Sequence, residues 1–358
     1  MDQHFGVESS IINGLTRTHG EPRACASRSD GRSARGEDVD RLEAQQHTIY
    51  LARHGSQAYD LATPTSDEDF KGVLVPAQRY VFGFKHRFEQ FETHEPDDLV
   101  IYTLPKFFKL ATACNPSIIE VLFVEEEDIV SCEPEGELLR QERDRFLSQR
   151  AHQTFTGYAL SQLKRIQTHR GWLLNPPEGE PTRADFDLPA QPTLPSAQIG
   201  AASAVIERQG TSGFDTNFLD MLDREKRWRA AHKYWKQYNQ WKKHRNPARA
   251  KLEAHFGYDC KHGSHLLRLL RMGEEILVQG KVLVRRPDRE ELLDIKLGRW
   301  PYERLMEEAN ATMDRIKKLM EKPELLAVPA HPDEEALDAL CMDLMIRWYR
   351  RKGVVGAK

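Results

Sequence analysis

The chain has 358 residues, 39% hydrophobic and 30% charged, which is long enough for two compact domains or for one domain with a large helical extension. With 52 basic and 55 acidic residues the net charge is −3, so the chain as a whole is not a generic polyanion binder, and any nucleic-acid contact must come from a local patch. No apolar run reaches the length of a membrane span, the N-terminus lacks the layout of a signal or transit peptide, and the five cysteines are dispersed with no CxxC pair. A soluble protein of the reducing cytoplasm is the expectation, without membrane contact.

Residues 1–46 are polar and rich in Ser, Gly, Arg and Asp, and they read as a disordered tail. Strand character begins at Thr48–Ala52, returns at Phe70–Val75 and again at Leu99–Leu104. Helical periodicity follows over 106–113 and 157–172, so 47–172 is expected to be one mixed domain. The stretch 173–200 carries six prolines, and 173–212 reads as a linker or insertion. Helical patterns then cover about 215–245, 248–256, 261–279, 289–297, 301–321 and 334–351, interrupted by the apolar run Lys281–Val284. Residues 213–358 are thus expected to form a helical domain. In its last helix Leu337, Leu340, Leu344 and Trp348 are spaced for packing. The fold class is α+β.

The chemistry concentrates between Gly55 and Gly72. A strand runs into Gly55-Ser56, where the missing side chain lets the backbone approach a phosphate closely and where the Ser56 hydroxyl and nearby N–H groups can hold it. Asp67 and Asp69 follow, two positions apart, so that at the start of a strand their carboxylates converge while Glu68 points away. Convergent carboxylates beside a phosphate turn suit Mg²⁺, and such a centre supports in-line displacement at an α-phosphorus. A two-ion version needs a third carboxylate on a neighbouring strand. Asp98, just before Leu99, is the choice, with Asp97 and Glu92 as alternatives.

The segments Gly55–Tyr59, Ser66–Val73, Asn115–Glu120, Gly157–Ala159 with Gln162–Ile166, and Gly257–Leu270 together resemble the polymerase β nucleotidyltransferases, and more closely the RNA-repair-pathway DNA polymerase β family of bacteria and phages. The resemblance runs from about 48 to 330. It implies a polymerase β-type core followed by helices, two Mg²⁺ or Mn²⁺ ions on Asp67, Asp69 and Asp98, and transfer of an NMP from an NTP to a hydroxyl, with an RNA end as the implied acceptor. The implied nucleotide- and phosphate-binding residues are Gly55, Ser56, Lys71, Arg165, Lys261, His265 and Arg268. Two other functions stay open: a nucleotide or RNA-end binding module with weak catalysis, and a protein-modifying toxin or antitoxin. In one departure, Asp60 stands where the family pattern has glycine. If that position needs a positive φ, Asp tolerates it better than most residues, but it adds negative charge near a triphosphate.

Two helices carry cationic stripes: Tyr158, Gln162, Arg165 and His169 in one, and Lys261, His265 and Arg268 in the other. The plainer reading of both is a solvated helix face. The His262/His265 pair has metal-binding spacing on a helix but no third soft ligand with suitable spacing. Residues 224–251 hold eleven Lys/Arg and a single acid, Glu225, interleaved with Trp228, Tyr234, Trp235, Tyr238 and Trp241. The rings gather on one broad arc, which favours packing over base stacking, while the cations remain candidates for phosphate contacts.

Overall fold

Alternation of side chains across a pleat builds the first element pair. The computed structural model describes residues 41–353 apart from 65, 96, 193, 194 and 246. Helix α1 (Arg41–His47) leads into β1 (Thr48–His54), followed by β2 (Asp69–Leu74), the short α2 (Gln78–Val81), β3 (Gln90–Thr93) and β4 (Asp98–Thr103). After α3 (Leu104–Thr112) and α4 (Pro116–Leu122) come β5 (Ile129–Cys132) and α5 (Pro134–Gln141). The sheet order is β3-β4-β2-β1-β5; β2 and β4 run parallel and the other neighbours antiparallel. This is the mixed α+β core expected from the sequence.

The two faces of β2 do different work, because successive side chains point to opposite sides. Leu74 joins a buried cluster with Ala44, Tyr80, Leu99 and Ile101, and Phe70 packs against it. Asp69 and Lys71 take the other face. Over the sheet lies α4, whose first turn is capped by the Asn115 side chain accepting from Ser117 N at 3.1 Å, with Pro116 at the first helical position. Tyr50 of β1 donates its hydroxyl to Val121 O of α4 at 2.7 Å, fully buried.

The described chain divides into two compact units, residues 41–163 with 261–353, and residues 164–260. The first therefore contains α10 (Cys260–Gln279) from residue 261, α11 (Arg289–Lys296), α12 (Tyr302–Met320) and α13 (Glu334–Arg351). Helix α13 packs on α3 and α5, burying Leu337, Leu344 and Trp348, and the Tyr349 hydroxyl donates to Pro76 O at 2.6 Å. The sequence reading drew its domain boundaries along a continuous chain, at 172 and 213. The compact unit is instead discontinuous, because the last hundred residues supply cover for the sheet.

The second unit holds the C-terminal half of α6 (Arg150–Leu174), then α7 (Ser196–Gln209), α8 (Thr216–His244) and α9 (Pro247–Phe256). Trp172 is its aromatic centre, 5.2 Å from Trp241, 5.8 Å from Tyr234 and 6.1 Å from Tyr238 between ring centroids. The proline-rich segment straps onto the first half of α8. Arg183 pairs with the fully buried Glu225 and donates to Pro189 O, Trp228 Nε1 donates to Pro181 O at 3.2 Å, and His232 meets Glu180 at 3.1 Å. Trp228, Tyr238 and Trp241 of α8 thus pack, as their arc predicts, while Tyr234 stays exposed.

Four local expectations need correction. Residues 41–46 are helical, because Ala44 is buried under the sheet; the rest of the expected tail lies outside the described residues. The strands β3 and β5 were not foreseen. Helix α7 occupies part of the expected linker, its N-cap being Pro195, where no backbone N–H is required. Lys281–Val284 forms no regular element, although Val282 and Val284 are buried.

Candidate active site

Strand β1 ends at His54, and the next six residues coil into a tight turn. Tyr59 N donates to Gly55 O at 3.1 Å, Asp60 N to Gln57 O at 2.9 Å and Leu61 N to Ser56 O at 2.8 Å. Gly55 has φ 69°, in the left-handed region, and a β-carbon built on it would lie 3.2 Å from Asp69 Cγ and overlap Oδ2. Only glycine fits here, for both reasons. The turn and the carboxylate are thus one assembly.

Asp69 opens β2, the central strand, opposite His54 of β1 on one side and Asp98 of β4 on the other. Because β2 and β4 are parallel and in register, the two aspartates share a face. Asp67 is exposed two residues earlier. Burial raises the Asp69 carboxyl above its ordinary range, and the negative charges of Asp98 and Asp67 raise it further, against the pull of Lys261 and Lys71. Asp69 thus senses both other acids. Among the described residues they do not converge tightly enough to form a ready-made cage, since no group of three ligand atoms drawn from them lies within 4.8 Å. Asp98 Oδ1 is bonded by His94 Nδ1 at 2.7 Å, and that contact raises the pKa of the exposed imidazole. His94 was missed from the sequence, since it reaches Asp98 only because the β3–β4 connection is short.

A buried polar network lies against the turn. Tyr59 donates its hydroxyl to Glu120 Oε2, Arg268 Nη1 meets Glu120 Oε1 at 2.6 Å, and the Arg268 guanidinium stacks 3.7 Å above the Tyr59 ring. Glu120 and Arg268 are only 2% and 3% exposed, so each neutralises a charge that the other could not bury alone. His54 accepts from Gly55 N–H at Nδ1 and faces Ser117 O with Nε2 at 3.2 Å, which fixes a neutral tautomer. Burial is the main reason its pKa falls well below 6.5, helped by Lys71, Arg268 and His265. Lys71 donates to the same Ser117 O at 3.2 Å, and burial brings its ammonium down to about 8.

The other sequence candidates fall as follows. Lys261 is exposed on the first turn of α10 and acts electrostatically on Asp69. His265, one turn on, is half-buried and held neutral by burial and by Arg268 and Lys261. Ser56 is half-buried within the turn. Arg165 is exposed and belongs to the second unit. Asp60 has φ 57°, the left-handed conformation that its place in the family pattern predicts, and its carboxylate is held by Arg289 Nε at 2.9 Å. Arg289 also donates to Asp60 O, Lys296 to Leu61 O at 2.6 Å, and Arg286 N to Tyr59 O at 3.3 Å, so α11 and the residues before it brace the turn.

Residues 32–172 match the model of the RNA repair pathway DNA polymerase beta family. Over these residues, less than half of the chain, the protein is similar to that family. The polymerase β-type match takes in the turn, Asp67, Asp69, Asp98 and Glu120. It ends before Lys261, His265, Arg268 and Arg289, which the fold brings to the same turn from beyond the matched region. No curated protein matches the chain.

Proposed function

We propose that the protein is a divalent-metal-dependent nucleotidyltransferase that moves an NMP from an NTP to a hydroxyl on an RNA end and releases pyrophosphate. The observation that carries this reading is Asp69 at the head of the central strand, seated against Gly55 with Asp98 beside it. A half-buried carboxylate with two acidic neighbours and no ion-pair partner among the described residues is a cation's donor set rather than a salt-bridge element. Asp67, Asp69 and Asp98 would hold Mg²⁺ or Mn²⁺, which when bound neutralises phosphate charge and polarises the reacting oxygens.

The protein's own groups do the rest. The Gly55–Asp60 turn seats the terminal phosphates through backbone N–H groups and the Ser56 hydroxyl, with Lys71 and Lys261 supplying positive charge. The acceptor hydroxyl oxygen attacks the α-phosphorus, its proton passes to Asp98, and the bond from the α-phosphorus to the bridging oxygen breaks as pyrophosphate leaves. Arg268, Glu120 and Tyr59 position the turn and do not touch substrate. Asp60 does not burden the triphosphate with a free charge, because Arg289 compensates it.

The test is transfer of label from each α-³²P NTP into RNA or protein, with Asp67→Asn and Asp69→Asn as controls. Label in RNA that both substitutions abolish, in variants that unfold normally, supports the reading. Label in protein instead identifies a protein-modifying enzyme. Undiminished transfer by either variant removes the proposed centre.

A further inference from the structure

The arginines and lysines of the second unit are used differently. Arg183 pairs with Glu225, Arg224 with Asp220, Arg227 with Asp223, Arg229 with Glu225, and Arg245 with Glu253. Lys226, Lys233, Lys236 and Lys243 on α8 are exposed, and among the described residues none of them takes part in an ion pair. At 100° per residue these four, with Gln237 and Gln240, fall within an arc of about 120°, and they extend along about 26 Å of helix. Ten Lys/Arg and no acid occur between Lys226 and Lys251 in a chain whose net charge is negative.

An ordinary solvated face does not look like this. On α12, acids and bases alternate, as in Glu303, Arg304, Glu307, Glu308, Asp314, Arg315 and Lys317. Like charges at helical neighbours such as Lys233 and Lys236 repel by a few tenths of a kcal/mol, and nothing on the helix offsets that. The aromatic side of α8 is turned to Trp172 and to the proline-rich strap, leaving Trp228 and Trp241 little room to stack on bases, while Tyr234 is the exposed ring. The surface therefore offers point charges and amide groups along a line, which is the chemistry of a phosphate backbone read without regard to sequence.

We propose that the lysine stripe of α8 binds the sugar-phosphate backbone of single-stranded RNA, the acceptor strand of the transfer reaction. The proposal rests on the nucleotidyltransferase reading for the identity of that strand, but its test does not. For single strands each phosphate neutralised contributes about −0.7 to the slope of log affinity against log salt. Replacing Lys233, Lys236 and Lys243 removes three contacts, so the slope becomes shallower by about 2, and affinity at 0.1 M salt falls about 100-fold.

The experiment is fluorescence anisotropy of the full chain with a labelled 20-nucleotide oligo(U), titrated with salt. The proteins compared are the wild type, the Lys233→Gln/Lys236→Gln/Lys243→Gln triple variant, and a Lys317→Gln/Lys318→Gln control on α12. The slope of the triple variant is expected to be shallower by about 2; the control should keep the wild-type slope. An unchanged slope in the triple variant, absence of oligo(U) binding by wild type, or tighter binding of polyglutamate than of oligo(U) overturns the proposal. A wild type that shows lysine-dependent RNA binding but transfers no nucleotide refutes the transfer reading alone and leaves the surface standing.

Discussion

Gly55→Ala is the most economical probe of the site, since one methyl group tests the turn and the carboxylate together. Holding alanine at φ 69° costs about 1–2 kcal/mol relative to glycine. The new Cβ also overlaps Asp69 Oδ2, and because it is fixed to backbone, the carboxylate must yield. For a unit of roughly 200 residues, 1–2 kcal/mol lowers the unfolding midpoint by about 2–8 °C. Displacing a catalytic group by about 1 Å costs on the order of 100-fold in rate. Circular dichroism melting and α-³²P NTP transfer should therefore show a modest stability loss beside a severe loss of activity. Asp60→Gly is the matched comparison: it relieves a positive φ and gives up an exposed ion pair worth about 0–1 kcal/mol, so its stability should stay within about 1 kcal/mol of wild type. If Gly55→Ala melts normally and transfers label within threefold of wild type, the assembly of turn and carboxylate described above is wrong.

Three further outcomes follow from the buried groups. Glu120→Gln leaves Arg268 buried without its counter-charge, which costs about 3–5 kcal/mol and lowers the midpoint by at least about 6 °C; Glu120→Leu/Arg268→Met should recover much of that stability without recovering transfer. His54 and His265 both have folded pKa values pushed below their ordinary 6.5, so the fold takes up fewer protons than the unfolded chain. Their stability is complete above pH 6.5 and is lost as pH falls below it, so the midpoint should drop between pH 7 and 5, and His265→Gln should flatten that slope. Asp69 has the opposite sign. Its raised carboxyl opposes folding when ionised and ceases to do so as pH falls through the folded value, so Asp69→Asn should raise the melting temperature at pH 7 while abolishing transfer.

The strands that carry the site were legible because each is flanked by turn residues and reads as apolar in a short run. Thr48–Ala52, Phe70–Val75 and Leu99–Leu104 lie within one residue of β1, β2 and β4 at their starts. The edge strands were not legible: β3 and β5 have four residues each, and their extended form is fixed by pairing with Leu99–Tyr102 of β4 and Tyr50–Ala52 of β1 rather than by their own pattern. The side-by-side placement of Asp69 and Asp98 was within reach, since strand starts place carboxylates without knowledge of the fold, whereas Asp67 precedes β2 and is exposed. Glu120 carried only a segment match, and its partner Arg268 lies 148 residues away. Nothing local could reveal that Arg268, on a helix far along the chain, would neutralise it, or that Arg289 would return to hold Asp60.

That long-range pairing makes the exception at Asp69 informative. In the first unit Glu120 has Arg268, Glu135 has Arg351, and Asp288 has both Arg271 and Arg286. These are the charges that folding would otherwise leave stranded, and the chain reaches across more than a hundred residues to meet two of them. Asp69 is half-buried yet receives no such partner, although Lys71 stands two residues away on its own strand and donates instead to Ser117 O. The through-space pull of Lys261 and Lys71 does not outweigh burial and the neighbouring acids, so the Asp69 carboxyl stays raised. Among the described residues Asp69 thus stands outside the structural ion-pair system, which is the physical argument for the metal-binding centre proposed at this strand start.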